Sequence, residues 1–199
     1  MPQITVTKYS GNRQKLLQAA VDLIMTKGFE CAGVAEILEH ADTQKSNLYY
    51  HYKSKEELCL DAFDVIEEAF FDQVLKPTLL DKSLPAKERL TSYFDIIIQN
   101  MESQCCKGGC PFVNLACETS DCNANFAAKL DRFFEKYANA IQDCFRDGVA
   151  NGEFRKDLEN FDIGRFLVAQ ISGTMVLTRT HKNVDVIKNN REVLFQLIC

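Results

Sequence analysis

Four prolines and nine glycines in 199 residues leave little to interrupt helices, and no stretch shows the alternating period of a strand. No apolar run reaches the ~18 residues a spanning helix needs, so no membrane partner is expected. Met1 to Asn12 lacks the apolar centre of a secretory signal, which points to a cytoplasmic protein. Repeats and low-complexity tracts are missing. So are a phosphate-cradling glycine loop, a Ser/His/Asp arrangement and a general acid/base pair. No enzyme, cofactor or metal is expected.

A surplus of positive charge is also missing. With 23 Lys and Arg against 28 Asp and Glu, the net charge is -5, which excludes a surface that coats nucleic acid broadly. The deficit is uneven. Residues 1–60 hold seven cations (Lys8, Arg13, Lys15, Lys27, Lys45, Lys53, Lys55) and seven anions (Asp22, Glu30, Glu36, Glu39, Asp42, Glu56, Glu57), so the whole excess of acid lies further on. Any duplex contact must be small, local and N-terminal. Nine cysteines are an odd number, so they cannot all pair within one chain. Without an export signal they are expected to stay reduced.

Apolar residues make up 46%, enough for a real core. The apolar spacing predicts about nine helices. The first runs from Gly11 to Lys27, with Gly28 as its stop and Phe29 as a core plug. The second spans Val34 to Ala41, and a turn through Asp42 and Thr43 leads to a third over Gln44–His51. The fourth opens on Ser54-Lys55-Glu56-Glu57, the pattern of a capping box, and continues to Pro77. After a linker over Leu79–Pro85, further helices fit Ala86–Ser103, Pro111–Thr119, Asn123–Asn151, Phe161–Arg179 and Val184–Ile198, with a Cys- and Gly-bearing loop at Gln104–Gly109. His40 is expected on an exposed helix face and His181 at a helix end.

Two short helices joined by a tight turn suit helix-turn-helix geometry, in which the second lies in the major groove. In that second helix Leu48 and Tyr52 share the inward face. Ser46 and Tyr50 point outward, and Lys45, Asn47, Tyr49 and His51 lie on the flanks. Asn pairs bidentately with adenine, Lys with guanine edges or phosphate, and Tyr hydroxyls bond phosphate oxygens. Lys55 sits at a helix N-terminus, where a phosphate is favoured. The plainer reading of the same residues is a solvated helix with an aromatic core edge.

From Arg13 to about Phe63 the sequence resembles the TetR-type transcriptional regulators. The resemblance rests on Gly28-Phe29, Val34-x-x-Ile37, Leu48-Tyr49-x-His51-Tyr52 and Lys53-Ser54-Lys55-Glu56-x-Leu58. It implies an all-helical homodimer on a double-stranded operator, released by a small molecule, with the helix-turn-helix domain in residues 1–55 and an effector-binding and dimerisation domain in residues 56–199. It implies DNA contacts at Lys45, Ser46, Asn47, Tyr49, Tyr50, His51 and Lys55, to which the turn residues Thr43 and Gln44 are added. The family usually carries Gly-Val-Ser at the turn, where this chain has Asp42-Thr43-Gln44. Thr43 is expected to cap the third helix, and Asp42 to tolerate a left-handed backbone. Replacing Tyr49 and Lys55 by alanine is expected to weaken binding and spare the fold.

A second feature is Cys105-Cys106-Lys107-Gly108-Gly109-Cys110-Pro111, followed by Asn114-Leu115-Ala116-x-Glu118. Pro111 at a first helical position puts Cys110 at the N-cap, where a thiolate is stabilised. The stretch resembles one seen in many members of the family, including a subgroup that senses electrophiles and oxidants. Cys110, with Cys106 and Cys117, is therefore a candidate redox sensor; a small buried packing residue is the competing reading. The spacing is poor for zinc. The other route to release is a reversible, hydrophobic or electrophilic ligand in a pocket lined by Phe70, Tyr93, Ile97, Met101, Phe112, Phe133, Phe134, Tyr137 and Phe166, all of which also read as ordinary core. Broad apolar bands over Ile163–Leu177 and Val184–Ile198 exceed what one buried face needs. The resemblance places both helices in an intermolecular bundle. A thiol enzyme or a helical protein-interaction module would need no duplex affinity.

Overall fold

The structure, a computed structural model, describes residues 4–30 and 32–199. Among them are nine α-helices and no strand: α1 Gly11–Lys27, α2 Val34–His40, α3 Lys45–His51, α4 Lys55–Phe70, α5 Ala86–Ser103, α6 Pro111–Thr119, α7 Ala124–Ala150, α8 Ile163–His181 and α9 Asp185–Ile198. No helix among the described residues is long and apolar enough to cross a membrane. The chain forms two compact units: Met1–Phe70 with Pro111–Leu130, and Phe71–Cys110 with Asp131–Cys199.

In the first unit α1 is the hub. It buries Leu16, Leu17, Ala20, Val21, Leu23 and Ile24 and packs against α2, α3 and α4. Seven-residue helices such as α2 and α3 are too short to persist alone, so tertiary contacts hold them. Ile37 and Leu48 are fully buried anchors. The ring of Phe63 on α4 meets Phe112 of α6 at 5.7 Å and Phe126 of α7 at 6.5 Å. Phe29 is half-buried, 5.0 Å from Phe126. Ahead of α1, an extended arm lies along the helix. The Val6 N–H donates to Gln18 Oε1 at 2.8 Å, Gln14 donates to the Val6 carbonyl at 2.6 Å, and Gln18 donates to the Ile4 carbonyl at 2.8 Å. Ile4 and Val6 are buried there.

The second unit holds two departures from the sequence pattern. The helix expected to reach Pro77 is α-helical only to Phe70 and widens into a π-turn over Phe71–Leu75, with the Lys76 N–H bonded to the Phe71 carbonyl at 2.9 Å. Pro77 has no N–H, and its ring collides with the carbonyl four residues back, so the α pattern cannot run through it. The stretch expected to be a linker is clamped: Leu79 is fully buried, and its carbonyl accepts from Arg89 Nε at 2.9 Å. Arg89 is itself 2% exposed and bonds Asp147 at 2.8 Å, so its buried charge is paired. Where α8 meets α7, a Cβ on Gly164 would lie 2.2 Å from the Ala138 carbonyl oxygen; glycine permits the approach, and Gln142 caps the Gly164 N–H at 2.8 Å.

Candidate nucleic-acid interface

The α2–α3 turn is built on Asp42, whose φ of +46° is the left-handed value expected of the residue in that place. The expected cap by Thr43 is not formed. The N-cap residue of α3 is Gln44, without a side-chain bond, and Thr43 Oγ1 instead accepts from the Asn47 amide at 2.9 Å. Asn47 Oδ1 and its second N–H are not part of that bond, but the side chain is half-buried and tethered. At the other end of α3, Leu48 and Tyr52 are buried as the spacing predicts. Gln44, Lys45, Ser46, Tyr49 and Tyr50 are exposed, Tyr50 to 83%. The Lys45 ammonium lies 5.8 Å from the Tyr49 ring, and the half-buried His51 meets Tyr50 edge-on at 4.8 Å. Three hydroxyls, an ammonium, two carboxamides and an imidazole thus cluster on two turns of helix.

The capping box at the start of α4 is present in a shifted form. Ser54 Oγ accepts from the Glu57 N–H at 3.1 Å, while Glu57 reaches back one residue further than the motif requires, to the Lys53 N–H at 2.6 Å. Lys55, expected to meet a phosphate, donates to the Phe29 carbonyl at 2.7 Å and lies 4.2 Å from the centre of that ring. Removing Lys55 would therefore disturb the corner after α1 as well as a DNA contact.

That corner holds a residue whose role the sequence did not disclose. Glu118 on α6 places one carboxylate oxygen 2.7 Å from the Phe29 N–H and 3.1 Å from the Glu30 N–H. Gly28, at φ +89°, makes room: a Cβ there would sit 2.2 Å from the other carboxylate oxygen. Glu118 stands in a recognisable motif, yet nothing in that motif announces a partner 89 residues away.

The candidate effector residues fall in both units. In the first, Phe70 and Phe112 are buried 5.6 Å apart. In the second, Tyr93, Ile97, Met101, Phe133 and Tyr137 are buried and Phe134 is half-buried. Tyr93 and Tyr137 share a hydroxyl–hydroxyl bond, and burial pushes the Tyr137 phenol up from its ordinary value. Phe166 differs from the rest in being 54% exposed.

Of the candidate thiols, Cys110 is half-buried just before α6, Cys106 is buried and Cys117 is exposed. Cys105 and Cys106 have φ of +50° and +55°, and Gly108 and Gly109 also lie in the left-handed region. Two non-glycine residues in succession there make this a strained loop. Burial raises the thiols of Cys59 and Cys144, to about 12 and about 11, so both are poor nucleophiles. Cys31 lies outside the described residues. No group of three potential metal ligands occurs among the described residues.

On α8, Ile163, Leu167, Ile171 and Thr174 are buried, while Phe166, Ala169, Gly173, Val176 and Leu177 stand exposed at helical spacing. Val193 and Leu197 do the same on α9.

A paired-helix head with a polar, tyrosine-bearing outer face defines a helix-turn-helix DNA-binding protein. Comparison with known proteins agrees. Residues 16–62 match the bacterial regulatory proteins of the tetR family, and residues 86–194 match the tetracyclin repressor-like C-terminal domain. The chain belongs to the TetR family: it is a ligand-responsive transcriptional regulator, not an enzyme. It is 28% identical over 190 residues to the HTH-type transcriptional repressor DhaR of Mycobacterium sp. (strain GP1), covering 94% of this chain and 91% of that one. The fold is that of a regulatory protein TetR from Rhodobacter sphaeroides, with a TM-score of 0.86 at 22% identity, over 96% of this chain and all of the other. It is also that of reduced NemR from E. coli, with a TM-score of 0.81 at 20% identity, over 94% and 97%.

Proposed function

We propose that this regulator is a repressor that binds a palindromic operator as a homodimer, with residues 1–55 as its reading head and residues 56–199 as its effector-binding and dimerising body. The observation that carries the reading is the division of α3 and the residue that ends it into a buried side, Leu48 and Tyr52, and an exposed side, Lys45, Ser46, Tyr49 and Tyr50. Tyr50 and Ser46 have the position to reach base edges, and Lys45, Tyr49 and the α4 N-terminus to hold phosphates. Thr43, Gln44, Asn47, His51 and Lys55 flank them. The exposed faces of α8 and α9 would pack against their copies, setting two heads about 34–36 Å apart for successive major grooves. DhaR, to which this chain is similar over most of both lengths, is named as a repressor.

Release follows from a ligand that favours another spacing of the heads, by a coupling of about 1–3 kcal/mol. The rings of Tyr93, Phe133, Phe134 and Tyr137 suit a hydrophobic or aromatic ligand whose polar group bonds the paired hydroxyls. A second reading is favoured by the strained loop that delivers Cys110 to the start of α6: alkylation or oxidation of that thiol would release DNA. Mass-resolved alkylation separates the two, since a Cys110 no more reactive than the buried Cys144 ends the thiol reading. The function itself is tested by an electrophoretic shift of duplex from the chain's own upstream region. A shift abolished by excess unlabelled duplex supports it, and failure to retard any segment contradicts it.

A further inference from the structure

Behind the reading helix lies a charged cluster that DNA contact does not account for. Tyr52, the first residue past α3, is 3% exposed, and its phenol donates to Asp61 Oδ2 on α4 at 2.9 Å. The other carboxylate oxygen of Asp61 accepts from Lys8 at 2.9 Å. Arg13 on α1 donates from Nε to the Tyr52 hydroxyl at 3.4 Å, brings Nη2 to 3.7 Å from Asp61, and lies 3.6 Å over the Tyr9 ring. Lys8 and Tyr9 belong to the arm that Gln14 and Gln18 pin to α1. One carboxylate therefore gathers the arm, α1, α4 and the end of α3. The Asp61 side chain is only 13% exposed. Burial would raise its carboxyl, but the hydrogen bonds from Lys8 and Tyr52 outweigh it and hold the group below its ordinary value. Burial also pushes the Tyr52 phenol up, so it remains a donor.

The geometry matters because α3 has seven residues and cannot fix its own direction. At its start no side chain caps it; the bond from Asn47 to Thr43 only ties its first turn to the preceding turn. At its end the chain is held by Tyr52, through the buried ring and the bond to Asp61. We propose that Asp61 is a positioning residue for operator recognition: with Lys8 and Arg13 it fixes Tyr52, and through Tyr52 the tilt of α3 in the groove. This rests on α3 being the reading helix. Its consequence is selective. Contacts to base edges depend on angle and reach, whereas contacts to phosphates tolerate displacement. A loosened α3 loses discrimination before it loses general affinity for duplex.

The test is a fluorescence-anisotropy titration of the full chain on two duplexes, the upstream segment that wild type retards and a scrambled duplex of equal length. Asp61→Ala and Tyr52→Phe are each expected to weaken operator binding about fivefold to tenfold, the net scale of one hydrogen bond, and to leave the scrambled duplex within about twofold. The double variant is expected to be no weaker than Asp61→Ala, because both changes delete the same bond. Asp61→Asn, which keeps an acceptor for Tyr52, should restore most of the loss. Unchanged operator binding in Asp61→Ala overturns the proposal. So do equal losses on both duplexes, which mark a purely structural role, and losses that add in the double variant. A wild-type chain that retards no upstream duplex instead defeats the DNA-binding reading itself, before any variant is measured.

Discussion

Helices α3 and α8 both hold large apolar side chains out to solvent, and they do so in different company. On α3 the exposed rings are Tyr49 and Tyr50, beside Lys45 and Ser46. Each ring ends in a hydroxyl, and the neighbours are polar. Gln170 apart, the exposed groups along this face of α8 are Phe166, Val176 and Leu177, beside Ala169 and Gly173, with Val193 and Leu197 on α9. These are hydrocarbon and small residues at helical spacing. Single exposed apolar residues need no partner, but a contiguous stripe does. Rings with hydroxyls and a cation suit the grooved, anionic surface of a duplex, while a smooth hydrocarbon stripe suits another helix. On the proposed reading, exposed side chains on the two helices meet two different partners, and the adjacent atoms tell them apart.

The largest effect should come from breaking the α8 side. Phe166→Glu with Leu177→Glu places two charges on the stripe. Sedimentation should then give a monomer, and operator affinity should fall by at least about 100-fold, because a lone head loses the effective concentration supplied by its twin. A dimer that persists would reassign the stripe. Next is the α3 side. Tyr49→Ala with Lys45→Ala should weaken operator binding at least about tenfold, without changing the oligomeric state or the unfolding midpoint. Lys45 serves this test better than Lys55, which also ties down Phe29.

Smaller again is a change in the head's scaffold. Gly28→Ala must place a Cβ against Glu118 at a φ disfavoured for alanine, and should destabilise the chain by about 1–2 kcal/mol in denaturant unfolding. Gly33→Ala, with open space around it, is the control and should be close to neutral. The smallest effect is one of pH. The Asp61 carboxyl is lower in the folded chain than its ordinary value of 3.8, so its contribution is complete above that value and is lost as pH falls through the lowered one. Acid unfolding of wild type should therefore be steeper than that of Asp61→Asn below about pH 4, with the difference between the two constant near neutrality.

What could be read from the sequence was what neighbours in the chain decide. The bounds of α5 and α6 follow from Pro85 and Pro111 ahead of apolar periodicity, the left-handed turn from Asp42, and the start of α4 from Ser54 and Glu57. The inward side of α3 followed from a four-residue spacing. What escaped was decided by distant partners. Thr43 looked like a cap, but Asn47 claimed its hydroxyl. Leu79 looked like linker, but Arg89 holds its carbonyl. The place of Lys55 at a helix N-terminus suggests a phosphate contact but gives no sign of Phe29, which offers it both a ring and a carbonyl. Asp61 and the two glutamines under the arm carry no local mark at all, and the motif around Glu118 does not point to Phe29, since each is an ordinary polar residue until the fold brings its partner.

The difference between the two exposed faces is tested most directly by the stoichiometry of the complex on a duplex carrying both half-sites, measured by analytical ultracentrifugation for wild type and for the α3 and α8 variants. Wild type should bind as two chains per duplex. The Tyr49/Lys45 variant should stay dimeric yet leave the duplex free, and the Phe166/Leu177 variant should be monomeric and leave it free as well. A Tyr49/Lys45 variant that occupies the duplex as tightly as wild type would contradict the assignment of α3 as the surface that reads DNA.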